Sequence, residues 1–233
     1  MAQEGVSSTV GPASDQHPGW DDPQRVHGYL ERVGRLEPRL EGEDALRALL
    51  PAAPSSVLDL GCGDARLAAL VVEACPSITR VVGIDASPPM LERARARFAA
   101  DAHASHTSRS VEIRMGELDD DLRPLGRFDL VVSGFAIHHV EHLRKRELFG
   151  EVADVLTPGG LFANLEIVAS PTPELHADFL AAIGRTADDP EDRLADVDDQ
   201  LGWMTQAGLV DVACTWHWKG MALLVGRGAG GPS

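Results

Sequence analysis

Apolar and polar positions along this chain follow two rhythms in turn, one of period two and one near the helical repeat. Val57-Leu58-Asp59-Leu60 is a short apolar run of the kind that forms a buried strand. The glycine turn Gly61-Cys62-Gly63 follows, and then Ala65 to Ala74 carries Leu67, Leu70 and Val71 at helical spacing, stopping before Pro76. A second apolar run, Arg80 to Ile84, ends at an acid, Asp85, and another helix begins after Ser87-Pro88-Pro89 and runs to about Ala100. Strand, glycine turn, helix, strand, acid, helix is a βαβ unit with its turn at the carboxyl end of the sheet.

The same patterning extends to both sides. Asp22 to Leu36 is helical, with Val26, Tyr29, Leu30 and Val33 on one face, and a second helix spans Glu43 to Leu50 before Pro51 and Pro54. Val111 to Met115 alternates as a third strand, and Phe128 to Ser133 is a fourth. An amphipathic helix, His142 to Leu156, leads through the turn Thr157-Pro158-Gly159-Gly160 to a fifth strand, Leu161 to Val168. Helices at Glu174 to Ile183 and Val197 to Ala207 precede a hairpin, Val210 to Trp218 and Met221 to Val225, around Lys219-Gly220. Residues 1–19 have no periodicity and are expected to be a disordered tail, as 227–233 are expected to be a flexible one.

The turn has its own chemistry. Gly61 and Gly63 lack a Cβ and adopt positive φ readily, so backbone N–H groups can close on a ligand. Asp85 is placed to accept hydrogen bonds from two ribose hydroxyls. A nucleoside-containing cofactor fits, and the pattern alone leaves its kind open. A dinucleotide fingerprint requires a small residue where Arg66 stands. Asp59, two residues before the first glycine, is a poor neighbour for a pyrophosphate and a good one for a cation. The stretch resembles motif I of the class I S-adenosylmethionine-dependent methyltransferases, D/E-x-G-x-G-x-G, at Asp59, Gly61 and Gly63, with Ala65 in place of the third glycine.

That resemblance extends over roughly Ser55 to Gly226. Phe128-Asp129-Leu130-Val131 with Ser133 and His138-His139 resembles a segment of many small-molecule methyltransferases, as does Leu156-Thr157-Pro158-Gly159-Gly160-Leu161-Phe162. It implies an α/β, Rossmann-like fold: a seven-stranded, mostly parallel sheet with helices on both faces and a terminal antiparallel hairpin. Residues 20–54 are then a helical lid, 55–226 the cofactor-binding domain, and 171–201 an insertion on the substrate side. The resemblance places Gly61, Cys62 and Gly63 against the ribose and methionine, Asp85 on the ribose with Ala86 beside it, and Met90 on the adenine. Gly116, Glu117 and Leu118 match the adenine turn, and Ser133, Gly134 and Phe135 lie next to the methionine. Tyr29 and Arg32 either face the cofactor or serve as core packing and surface charge. The implied reaction is methyl transfer from S-adenosylmethionine to an O, N or C nucleophile of a small molecule, leaving S-adenosylhomocysteine. Three other readings stand beside it: a carboxy-S-adenosylmethionine enzyme of transfer RNA modification, a non-catalytic cofactor-binding regulator, and a nicotinamide oxidoreductase that Arg66 disfavours.

His138 and His139 are the candidate catalytic pair, since an imidazole titrates near working pH and can take an acceptor's proton. The plain alternative is a ring that hydrogen-bonds a loop carbonyl. No third ligand lies at metal-binding spacing from them, so no metal is expected. Glu166 is either a substrate-side acid or a polar rim residue. The acids from Asp188 to Asp199 are either a lid that recruits a basic substrate or another subunit, or a solvated stretch of helix-initiating carboxylates.

Composition narrows the setting. At 233 residues the chain suits one full-sized α/β domain. Its 44% hydrophobic and 24% charged content is ordinary for a soluble protein. No run approaches the roughly 18 apolar residues of a membrane span, and no signal-peptide pattern opens the chain. Cys62, Cys75 and Cys214 have no metal or disulfide spacing. A cytoplasmic monomer or homodimer is expected, away from membranes. Net charge is −15, from 21 basic and 36 acidic residues, which repels a polyanion and excludes direct nucleic-acid binding.

Overall fold

The computed structural model describes residues 19–34, 36–104 and 109–230. Nearly all of the expected N-terminal tail, 1–18, lies outside the described residues, as do 231–233. Two helices, α1 (Pro23–Val33) and α2 (Glu37–Leu49), come first. The alternating body follows: β1 (Ser56–Leu60), α3 (Arg66–Ala74), β2 (Arg80–Asp85), α4 (Pro88–Ala104), β3 (Ser110–Met115) and β4 (Phe128–Gly134). Then come α5 (His142–Val155), β5 (Leu156–Ile167), α6 (Pro173–Ala182), α7 (Val197–Gln206), β6 (Val210–Trp218) and β7 (Met221–Arg227). Strand order is β3-β2-β1-β4-β5-β7-β6, parallel except for β7, which runs antiparallel to both its neighbours. This is the expected seven-stranded sheet with its terminal hairpin.

The central strands bury both faces, so β1 is closed to solvent throughout, with Val57, Leu58 and Leu60 its apolar positions. Alternation sorts the side chains. Leu58, Leu60, Phe162 and Leu224 join α5 and α7 in one core, where Phe149 packs on Phe162 at 5.9 Å between ring centres. Val57, Leu130, Ala163 and Leu223 face α2, α3 and α4 in the other. Each fully buried Leu or Phe contributes about 1.5–3 kcal/mol. Helix starts are fixed locally: Asp22 accepts from the Gln24 N–H, Thr172 from Leu175 and Asp196 from Asp199.

Several boundaries differ from the sequence expectation, α1 ending at Val33 and α4 at Ala104 among them, and three others have a clear local reason. The second helix begins at Glu37 rather than Glu43, because Pro38 occupies the first turn, where its missing N–H costs nothing. Strand β5 starts at Leu156, through the Thr157 to Gly160 turn. Gly159 takes φ +75°, and Gly159 and Gly160 exchange 2.9 Å backbone hydrogen bonds with Gly228. That pairing also extends order past Gly226: Arg227 closes β7 and Gly228 is tied to the sheet.

Candidate active site

The carboxyl ends of β1, β2 and β4 meet at a cavity of about 620 Å3. Its floor is the turn after β1. Gly61 has φ +61°, and a Cβ there would meet the Ala136 Cβ at 2.2 Å, so only glycine fits. Gly63, at φ +53°, donates its N–H to Asp85 Oδ2 at 2.8 Å, while Asp85 Oδ1 accepts from the Ser87 N–H at 2.8 Å. Cys62 donates its N–H to the Ile84 carbonyl at 2.9 Å and buries its thiol beside Gly83. Burial pushes that thiol well above its ordinary range, and the Cys62 carbonyl accepts from the Ala65 N–H at 2.7 Å, which closes the turn.

Asp59 holds the start of α3. Its Oδ2 accepts from the Ala68 N–H at 3.0 Å, a role no side chain at the N-cap, Ala65, can fill. Ala65 itself sits left-handed at φ 58°, the conformation a third glycine would take without strain. Asp59 is 1% exposed and its Oδ1 has no hydrogen-bond partner. Burial, with Asp85 and Asp64 adding repulsion, raises its pKa to about 8 against the single opposing Ala68 N–H and the more distant Arg39.

The walls gather most of the residues singled out in the sequence: Tyr29, Ala86, Met90, Gly116, Glu117, Leu118, Gly134, Phe135 and His139 line this cavity. Two do not. Ser133 is fully buried and donates its hydroxyl to the Leu60 carbonyl at 2.9 Å, stitching β4 to β1. His138 turns to a neighbouring cavity of about 490 Å3, which also takes Arg32. Trp20, Tyr29, Arg39, Phe135 and His139 border both cavities.

At that border the structure supplies partners the sequence did not reveal. Ile137–His139 forms a short 3-10 turn, and His138 Nδ1 lies 2.6 Å from Glu166 Oε1. Asp192 Oδ1 is 3.6 Å from His138 Nε2 and 3.5 Å from His139 Nδ1. Glu166 is 1% exposed, a buried partner of His138 rather than a rim residue. Burial raises the Asp192 carboxyl, with His138 and Arg185 opposing the shift. Lys145, also buried, donates to the Arg193 carbonyl; burial lowers its pKa while Glu166, Glu141 and Asp192 act to raise it. The spacing argument against a third metal ligand is corrected in space: ligating atoms of His138, His139 and Asp192 lie within 4.8 Å of one another.

Arg66, the residue that breaks the dinucleotide pattern, reaches back to α2. Its guanidinium makes two 2.7 Å hydrogen bonds to Glu43, which Arg39 also joins at 2.9 Å. Burial works to raise the Glu43 carboxyl, and these hydrogen bonds together hold it below its ordinary value. Arg39 lies over the Phe135 ring, 5.2 Å from its centre. Arg39 and Glu43 sit at i,i+4 spacing, the one signal that would have marked them in the sequence. Four of the seven acids of the 188–199 segment are spent internally, Asp188 on His176, Asp189 on Arg25, Asp192 on the histidines and Asp196 on a helix cap, while Glu191 lines the larger cavity.

Comparison with known proteins agrees with this geometry. The family model described as a methyltransferase domain matches residues 57–160. A protein of Mycobacterium tuberculosis named as an uncharacterized methyltransferase is 37% identical over 130 residues, 56% of this chain and 58% of that one. The chain thus spans little more than half the length of that relative. An O-methyltransferase family protein from Burkholderia thailandensis superposes with a TM-score of 0.67 at 22% identity, over 90% of this chain and 60% of that one. Human N-acetylserotonin methyltransferase, solved in complex with S-adenosylmethionine, gives 0.65 at 15% identity, over 94% and 60%. These two structures share the fold.

Proposed function

We propose that this chain is a class I S-adenosylmethionine-dependent methyltransferase that methylates an O, N or C nucleophile of a small molecule, leaving S-adenosylhomocysteine. One observation carries the reading: the larger cavity sets a glycine turn among eight acidic side chains, the ribose-ready Asp85 and the buried Asp59 included, against three arginines. Such a surface suits a cofactor that carries a sulfonium and an ammonium. Gly61 and Gly63 bring backbone to the sugar and methionine, Asp85 takes the ribose hydroxyls, and Met90, Glu117 and Leu118 hold the adenine. Helices α1 and α2, within residues 20–54, close over it as a lid.

When bound, the cofactor supplies an electrophilic methyl group with its own leaving group. The chain's main task is then to align a nucleophile, and proximity supplies most of the rate. The smaller cavity is the acceptor's. His139, on the shared wall, receives the acceptor's proton at Nε2, since its Nδ1 faces Asp192. His138, held by Glu166, keeps that carboxylate pair and the second imidazole in place. Lys145 and Arg185 already offset the two acids, so the cluster suits a proton better than a dication. Among the described residues no helix is long and apolar enough to cross a membrane. We place the enzyme in the cytoplasm as a monomer or homodimer acting without nucleic acid.

Isothermal titration tests the cofactor assignment. S-adenosylmethionine and S-adenosylhomocysteine should both bind, and Asp85→Ala should weaken both by at least about tenfold, the loss of a charge-assisted pair of hydrogen bonds. Absence of binding, or unchanged affinity in the variant, would overturn it.

A further inference from the structure

The two cavities that meet at Phe135 and His139 carry opposite charge. The cofactor cavity is strongly acidic, whereas the smaller one is lined by four arginines, Arg25, Arg32, Arg39 and Arg185, against two aspartates. This occurs in a chain whose acids outnumber its bases 36 to 21. Both aspartates are already paired, Asp189 with Arg25 at 3.0 Å and Asp192 with Arg185 at 3.8 Å. Arg39 pairs with Glu43, outside the cavity, at 2.9 Å. Arg32 has no ion pair among the described residues and stands exposed on α1 at the cavity rim.

We infer that the acceptor is a small organic carboxylate with an apolar body. The inference rests on the methyltransferase reading, because it takes the smaller cavity as the acceptor's. A carboxylate entering here exchanges water for guanidinium donors, whose fork geometry suits its two oxygens. Val33, Leu36, Ile167, Ile183 and Met221 supply an apolar lining for the remainder, in a volume of about 490 Å3. A cationic acceptor would lose its hydration and meet uncompensated positive charge. The acids between Asp188 and Asp199 do not reverse this, since those that reach the cavity are the two already neutralised there.

The test uses three probes of one shape. The full chain, saturated with S-adenosylhomocysteine, is titrated calorimetrically with 3-phenylpropionate, 3-phenylpropionamide and 3-phenylpropylamine. The carboxylate binds at least about tenfold more tightly than the amide and the amine, and Arg32→Gln weakens it several-fold while S-adenosylhomocysteine affinity stays unchanged. Amine or amide binding as tight as the carboxylate's, no measurable carboxylate binding, or an Arg32→Gln chain that binds it as before, each overturns the inference. Failure of S-adenosylhomocysteine itself to bind counts against the methyltransferase reading. The same three titrations on the cofactor-free chain then still decide the charge preference.

Discussion

Burial in the sheet raises the Asp59 carboxyl from 3.8 to about 8, and the neighbouring Asp85 and Asp64 charges add to the shift. A carboxyl that is protonated in the folded chain and ionised in the unfolded one stabilises the fold at low pH. That contribution is lost as pH rises from about 4 through the folded value of about 8. Asp59→Asn keeps an acceptor oxygen for the Ala68 N–H and removes the titration. Between pH 5.5 and 8 the natural chain should therefore lose roughly 2–3 kcal/mol more stability than the variant. Chemical denaturation of the cofactor-free protein at both pH values reads this difference, and parallel profiles would refute the assignment. Legibility in the sequence depended on how locally each residue's role is set. Gly61, Gly63 and Asp85 were readable because the turn and the strand end that define them are contiguous. Ser133 was misplaced because its position was right while its hydroxyl bonds inward to Leu60. His138 and His139 were visible as residue types, yet Glu166 and Asp192 approach them only through the fold.

At the scale of elements, the segment between α6 and α7 is pinned across the junction of the two cavities. The Arg193 N–H donates to the His138 carbonyl at 2.7 Å, its guanidinium pairs with Glu141 at 2.5 Å, and its own carbonyl receives the Lys145 ammonium. Asp189 is tied to α1 through Arg25. Lys145 thus fastens this segment to α5 and offsets Glu166 and Asp192 at once. Lys145→Met preserves chain length while removing the charge, leaving the carboxylates less compensated in a buried setting. A loss of about 2–4 kcal/mol is expected, with faster amide hydrogen exchange concentrated at 189–195. Unchanged exchange in that segment would mean that the other ties suffice. The sequence marked every α-helix and strand among the described residues, but not the short 3-10 turn Ile137–His139. It missed the extension of β5 through Gly159 and Gly160 because a Thr-Pro-Gly-Gly string reads as a turn, and its pairing with Gly228 is non-local.

For the whole molecule, the net charge of −15 and the acidic cavity act in the same direction on a cationic cofactor. Long-range attraction raises the encounter rate and is screened over a Debye length of about 10 Å at 0.1 M salt. S-adenosylmethionine carries one more positive charge than S-adenosylhomocysteine, at the sulfur, and the two are otherwise the same shape apart from the methyl. The association rate of the first should therefore fall several-fold between about 0.02 and 0.5 M salt, while that of the second changes little. Trp20 borders the cavity, so stopped-flow tryptophan fluorescence can follow both. Equal salt dependence would show that the acidic wall does not steer the sulfonium. The smaller, arginine-lined cavity works against the overall field, because a carboxylate approaching this molecule is repelled at long range and attracted only once it reaches the rim at Arg32. Screening should then speed the carboxylate's arrival over the same salt range that slows the sulfonium's, and the two opposite trends together separate the field of the molecule from the local charge of each cavity.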